Sequence, residues 1–508
     1  MKLERTKNTA RTVIYGLVYR TLITFLPFVT RTIITYRLGA EYLGLNSLFT
    51  SVISMLNMSE LGFNSAIVFC MYKPIADDNN DIINAMLNLI KKVYRYIGVF
   101  IIICGIIIMP FLDKFISGSV PQDINLYVLY ILYLLNSVLS YELFAYKSSL
   151  LEAFQRGDIE HKVQSITEIC KYIIQIIILI VYPNFYIFTL VLPLSTLFTN
   201  ILRNNQVKKE FPNYRASGKL PKKYINKIKS KVFFLSAHSI SSTLINSIDN
   251  IVISGSLGLT ATAIYGNYTY ISTAILSIII MIYRAMKSGI GNSLAIESKN
   301  ENIKTFNALL FFCIWISAAC SICLICLFQP FMKIWMGDGR LLDINTIIMI
   351  VLFFNTNSIR QFLTTIYIGS AGLWNKTLFR QILSTVINLI LDIILIQKLG
   401  IFGVIMASFI TNTFIALPLD IVVVYKNIFE IQPRNGFCNY LKYQFIFFLL
   451  GIGTFFISNM IPDGGIIILL IKLIVSILIP NFICLLIFKD NDQFLYIVNH
   501  IKNLLVNK

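Results

Sequence analysis

Ile97–Phe111 reads IGVFIIICGIIIMPF, a stretch without a single charge. A hydrocarbon core of about 30 Å takes roughly 20 apolar residues of helix to cross. With Val93–Tyr96 in front, where only Arg95 is charged, this stretch reaches that length. Ile173–Val181 and Ile466–Leu478 repeat the pattern, the latter interrupted only by Lys472. Working outward, fourteen such segments emerge: 13–36, 42–71, 93–113, 125–147, 163–182, 185–202, 232–256, 262–286, 306–328, 346–369, 377–397, 401–425, 440–460 and 466–488. Within lipid each must be helical, because an open strand edge finds no hydrogen-bond partner there. A hydrophobic fraction of 56% with only 13% charged residues leaves no room for a large soluble domain. The expectation is an all-α membrane protein of about fourteen transmembrane helices.

Charge sets the orientation. With the N-terminus inside, most of the 43 Lys and Arg fall in cytoplasmic segments or at the inner ends of spans. The positive-inside rule then places both termini in the cytoplasm. The same asymmetry accounts for the net charge of +18, so no nucleic-acid partner is needed to explain it.

One sizeable break interrupts the spans. Residues 203–231 carry ten Lys/Arg and two prolines and read as a cytoplasmic linker. It separates an N-lobe of six spans (1–202) from a C-lobe of six (232–425). Spans 13 and 14 follow (426–488), then a cytoplasmic tail (489–508). That tail is expected to form a short helix on the inner membrane surface, with Phe494, Ile497 and Ile501 on one face. Six spans per half give both lobes the same orientation, a parallel repeat. Leu38-Gly39, Leu257-Gly258 and Leu399-Gly400 recur at corresponding turns; helix C-caps alone account for them equally well. Cys320, Cys323 and Cys326 lie in the apolar run CSICLIC and read as packing residues rather than metal ligands.

An ionisable side chain at bilayer depth costs at least about 2.5–3.5 kcal/mol and is expected to face a cavity or a partner. Arg20 and Arg31 are eleven residues apart, close to three turns, and so share a face of span 1 with Pro27 between them. Arg360 lies deep in span 10, and Arg284 with Lys287 caps the inner end of span 8. Together they outline a cationic cavity. Guanidinium groups suit a diphosphate, to which they donate in a bidentate fork. Arg284 and Lys287 read equally as plain anchors, and Arg31 as a side chain snorkelling outward. Glu168 and Lys171 form a local i,i+3 pair, while Lys472 has no evident partner. Glu60 precedes Leu61-Gly62, where a break in span 2 turns it toward a cavity.

Deep carboxylates pose a second question. Asn388 and Asp392, four apart on span 11, share a helical face, and Asp249 is set between Asn246 and Asn250 in span 7. A hard cation with oxygen ligands would compensate them. Protonation, or pairing with Arg360, are the alternatives.

Several segments taken together resemble the bacterial polysaccharide flippases, translocases of O-antigen and capsular repeat units. These belong to one superfamily with MATE drug exporters and lipid II flippases. The carriers of the resemblance are RLGAEYLGLNSLF (37–49), SELGFNSAIV (59–68), NSIDNIVISGSLG (246–258), SGIGNS (288–293), FMKIWMG (331–337) and GLWNKTLFRQILSTVINLILDIILIQKLGIFGVIMAS (372–408). The resemblance implies a MATE-like V of two pseudo-symmetric six-helix lobes plus two C-terminal helices. It implies an undecaprenyl-diphosphate-linked oligosaccharide as substrate, moved by alternating access across the bacterial cytoplasmic membrane for cell-surface polysaccharide synthesis. Arg20, Arg31, Arg284 and Arg360 are the candidate diphosphate ligands. The spacing also resembles the sodium site of lipid II flippases, which falls here on Asp249, Asn388, Asp392, Val404 and Ser408; Na+, or H+ in its place, is the implied coupling ion. No other cofactor is implied. A polysaccharide polymerase and glycosyltransferases are the candidate protein partners.

Two other classes compete. A cation-coupled multidrug exporter of the same fold prefers a negative cavity, against which Arg20 and Arg360 count. A membrane-embedded glycosyltransferase or polymerase needs an acidic pair or a large external loop. The outside loop before span 10 offers only Asp338 and Asp343, with Arg340 between them. The chain is therefore read as a transporter, not an enzyme.

Overall fold

The computed structural model describes residues 5–60 and 62–506. Among them every long element is helical: α1 (Arg5–Arg37), α2 (Ala40–Leu56), α3 (Phe63–Ala76), α4 (Asn80–Ile108), α5 (Leu126–Tyr141), α6 (Ser148–Ala153), α7 (Gly157–Val181), α8 (Phe185–Glu210), α9 (Lys222–Leu257), α10 (Leu259–Ile296), α11 (Lys299–Met336), α12 (Ile344–Phe362), α13 (Gly369–Ala371), α14 (Trp374–Ile410), α15 (Leu417–Val424), α16 (Arg434–Asn459), α17 (Ile466–Phe488) and α18 (Asp492–Val506). Polar side chains in the connecting loops start several of them. Asn79 accepts from the Ile82 N–H, Asn125 from those of Tyr127 and Val128, and Asn184 from that of Ile187. Each satisfies N–H groups that the first helical turn leaves orphaned.

Ten stretches among the described residues are long and apolar enough to cross a membrane. Counting the bent pair Leu126–Tyr141 and Ala145–Ala153 as one span gives eleven. The other expected spans do not register singly, for physical reasons. Segment 42–71 is cut into α2 and α3, each too short alone, by a 3-10 turn at Asn57–Glu60 and by Gly62 at φ 88°. Segments 377–397 and 401–425 run together, parted only by Gly400 at φ 59°. Span 232–256 is carried by α9, where Asn246, Asp249, Asn250 and a run of serines dilute the apolar residues. The three Leu-Gly pairs are all helix breaks: Gly39, Gly258 and Gly400 take positive φ, which only glycine adopts without strain.

The chain packs as two compact units, Met1–Ala263 and Ile264–Lys508. The division falls inside α10 rather than in the 203–231 segment. Residues of that segment up to Glu210 continue α8, those from Lys222 start α9, and α9 packs against α2 and α3. In the first unit α1 lies along α7, α5 and α7 pack on α8, and Phe49, Ile90 and Tyr130 sit in the core. In the second unit α11 is central, packed against α12, α16, α17 and α18. Large apolar side chains point outward on the remaining faces, as with Phe379 and Ile467. That is the surface a bilayer, not water, solvates.

Four local expectations meet the structure here. Lys171 pairs with Glu168 at 2.5 Å, as the spacing implied. Lys472 does have a partner: it is buried in α17 and reaches Asp463 of the preceding loop at 2.6 Å. The tail helix α18 docks on α11, where Phe494 packs on Trp315 with ring centroids 5.9 Å apart and Tyr496 meets Thr305 at 3.0 Å. In the CSICLIC run Cys326 is buried and Cys323 Sγ lies 3.8 Å from the Ser476 carbonyl.

Candidate functional site

The candidate diphosphate ligands divide between the units. In the first, Arg20 and Arg31 both lie on α1, which continues through Pro27; Arg20 is exposed and Arg31 half-buried. Tyr19, next to Arg20, stacks on His161 of α7. In the second unit Arg284 is exposed on α10. Arg360 lies in α12, with Nη2 donating to Asn357 Oδ1 at 3.4 Å and Nε buried without a hydrogen bond among the described residues.

Arg360 is not alone. Arg380 of α14 and Asp420 of α15 lie within its electrostatic reach. Arg380 Nε and Asp420 Oδ1 are 2.8 Å apart, and both side chains are almost fully buried. Two guanidiniums thus share one carboxylate. The backbone around this cluster departs from α geometry. It widens to π turns at Leu363–Ile368, directly after Arg360's helix, and at Thr411–Ala416 and Tyr425–Phe429, on either side of Asp420's. Such turns concentrate at functional positions. Thr356, one turn before Arg360, accepts from Asn412 Nδ2 at 3.0 Å and meets Thr413 Oγ1 at 3.2 Å, fastening α12 to the first of those flanking turns.

The candidate cation ligands of the second unit are Asn388, Asp392, Val404 and Ser408, all buried. The reversal at Gly400 folds the two halves of α14 together, so that Asn388 Nδ2 donates to Ser408 Oγ at 3.2 Å. With its amide nitrogen so used, Asn388 Oδ1 is left buried without a hydrogen bond among the described residues. An orphaned oxygen beside a buried carboxylate and a hydroxyl fits a hard cation in donor chemistry. Asp249, also buried, belongs to the first unit.

Glu60 faces a cavity, as the break in span 2 implied. The cavity lies within the first unit, with a volume of about 640 Å³. Glu60 Oε1 accepts from Tyr94 at 2.6 Å. Glu152 of α6 accepts from Asn64 at 3.0 Å, and Glu160 of α7 pairs with Arg203 of α8 at 2.6 Å. Its walls bring together the start of α3, the bend between α5 and α6, and α7.

Sequence reasoning missed two members of these sites. A basic residue near the inner end of a span is unremarkable in sequence, and the burial of Arg380 beside Asp420 is legible only in three dimensions. Asp420 itself had a signal: a lone carboxylate in the apolar run IALPLDIVVV. The argument applied to Asp392 applies there equally.

Apolar helices arranged in two bundles, with ionisable groups buried inside their membrane-embedded stretches, define an all-α integral membrane protein. The chain belongs to the family described as polysaccharide biosynthesis protein, whose model matches residues 9–286. Its fold is similar to that of the lipid II flippase MurJ in an inward closed conformation, with a TM-score of 0.68 at 13% identity over 94% of this chain and 99% of that one. It is also similar to an inward-facing multidrug resistance MATE family transporter of the MOP superfamily, with a TM-score of 0.61 at 16% identity over 82% of this chain and 98% of that one. A MOP superfamily transporter from Pyrococcus furiosus, whose binding pocket is described as reversed in polarity, gives 0.55 at 14% identity over 84% and 97%. Among curated proteins none matches the chain significantly.

Proposed function

We propose that this protein is a flippase. It moves undecaprenyl-diphosphate-linked oligosaccharide repeat units from the inner to the outer face of the bacterial cytoplasmic membrane by alternating access, without catalysing a covalent step. Family membership supports the pathway, and Arg360 is the observation that carries the substrate class. A guanidinium embedded in an apolar helix, with a donor nitrogen unsatisfied and only a shared counter-charge, suits an anionic group at membrane depth. Arg20 is the corresponding cation on α1; Arg31 and Arg284 complete the proposed set.

Coupling to Na+ is proposed through Asn388, Asp392, Val404 and Ser408. Protons are the alternative. Fourteen spans with both termini cytoplasmic, and delivery of substrate from glycosyltransferases to a polymerase, belong to the same proposal.

One observation favours a drug exporter instead: the first unit's cavity is lined by carboxylates, which suits organic cations. Proteoliposome assays discriminate. Transport of a lipid-linked oligosaccharide, lost in Arg360→Ala, supports the flippase; transport of cationic dyes alone supports the exporter.

A further inference from the structure

The lining of the first unit's cavity is poorly matched to a diphosphate. Its described lining carries three carboxylates, of which Glu160 alone is paired, to Arg203. Glu60 is held by the hydroxyls of Tyr94 and Tyr141, and Glu152 by the Asn64 amide; among the described residues neither carboxylate forms a salt bridge. An anion placed here would meet repulsion without a fork to receive it. A metal ion does not suit it either, because among the described residues no three His, Cys, Asp or Glu side chains are grouped to hold one.

What the cavity offers is a mixed polar lining. Glu60 and Glu152 keep acceptor capacity after the hydrogen bonds they receive, since a carboxylate has about four lone-pair sites. Asn64 and Gln155 add amides, and Tyr94 and His161 add rings. His161 Nδ1 is buried with no hydrogen-bond partner among the described residues. At about 640 Å³ the space lies within the range of small-molecule sites and exceeds a single pyranose ring. Acceptors, amides and ring faces around such a volume match a ligand rich in hydroxyl donors with apolar ring faces.

From this geometry we infer that the cavity is the glycan-reading subsite: it takes uncharged or amino-bearing sugars of the lipid-linked substrate and excludes uronic acids. The inference rests on the flippase reading but adds a division of labour. The arginines hold the diphosphate, and Glu60, Glu152 and Asn64 select the sugar. The exposed Gln155 at the cavity's edge offers a variant with little structural consequence.

The test is equilibrium binding to the detergent-solubilised full chain. Four probes are compared: undecaprenyl diphosphate without sugar, the same lipid carrying an N-acetylhexosamine disaccharide, the same disaccharide ending in a hexuronic acid, and the cationic dye ethidium. The expected result is that the neutral disaccharide tightens binding about tenfold over the bare lipid and the uronic acid cancels the gain. Glu152→Gln, Asn64→Ala and Gln155→Ala should each erode that gain while leaving the bare lipid's affinity unchanged, and Gln155→Ala should also leave the thermal midpoint unchanged. Glu152→Gln should also narrow the discrimination against the uronic acid. Arg360→Ala should weaken all three lipids together. A disaccharide that adds no affinity, or adds affinity untouched by all three cavity variants, overturns the subsite and leaves the flippase reading standing. Ethidium binding with none of the lipids bound overturns both.

Discussion

Arg380 Nε lies 2.8 Å from Asp420 Oδ1, with the two side chains only 5% and 0% exposed. Removing one partner of such a pair strands a buried charge, which typically costs about 3–5 kcal/mol, whereas removing both is often nearly neutral. Asp420→Asn and Arg380→Gln should therefore each lower the thermal midpoint in detergent substantially. The double variant Arg380→Met/Asp420→Leu should recover most of the loss. Equal destabilisation by the single and double variants would show that the pair itself is not what stabilises the second unit.

The same carboxylate bears on Arg360. With Asp420 neutralised, two guanidiniums share a buried region without a counter-charge. Asp420→Asn should then tighten the binding of inorganic pyrophosphate to the solubilised protein even as stability falls, and added pyrophosphate should raise its midpoint more than the wild type's. Identical midpoint shifts in the two proteins would separate Asp420 from anion binding.

The cation proposal predicts a thermal shift specific to sodium. Replacing potassium by sodium at constant ionic strength should stabilise the wild type. Asn388→Ala and Asp392→Asn should lose that increment, because they remove an oxygen ligand and the balancing charge. Ser408→Ala should lose part of it. A sodium increment intact in Asp392→Asn would place the site elsewhere; no increment in the wild type would favour protons.

Asp343 caps α12, receiving the Thr346 N–H at 3.0 Å and the Thr346 hydroxyl. Burial pushes its carboxyl upward, but these hydrogen bonds outweigh it and hold the group below the ordinary aspartate value. A folded-state pKa below the unfolded one means stabilisation that is full above the unfolded value, near 3.9, and lost as pH falls through the folded value. Asp343→Ala should cost about 1 kcal/mol at neutral pH. The gap between wild type and Asp343→Ala in thermal unfolding should shrink as the pH is lowered through that window.

Much of this was legible in the sequence because the bilayer imposes strict rules. Ile97–Phe111 could only be a span, and the Leu-Gly pairs at Gly39, Gly258 and Gly400 all end helices. Glu60 was placed by the glycine that follows it. What stayed hidden depends on packing between segments distant in the chain. The partnership of Arg380 with Asp420 joins two helices across the Gly400 reversal. The pairing of Lys472 with Asp463 reverses the reading of an isolated lysine. The attachment of α9 to α2 and α3 moved the boundary of the first unit past the basic linker, because charge marks where a chain leaves the membrane and not which helices share a core.

Transport by the purified, reconstituted chain tests the central claim most directly. Proteoliposomes are loaded with a fluorescent undecaprenyl-diphosphate-linked oligosaccharide, and its arrival in the opposite leaflet is followed by accessibility to a membrane-impermeant quencher. The account predicts translocation by the wild type, loss in Arg360→Ala and Arg20→Ala with folding intact, and partial recovery in Arg360→Lys, where charge returns without the bidentate fork. Translocation at the wild-type rate in both alanine variants would contradict it.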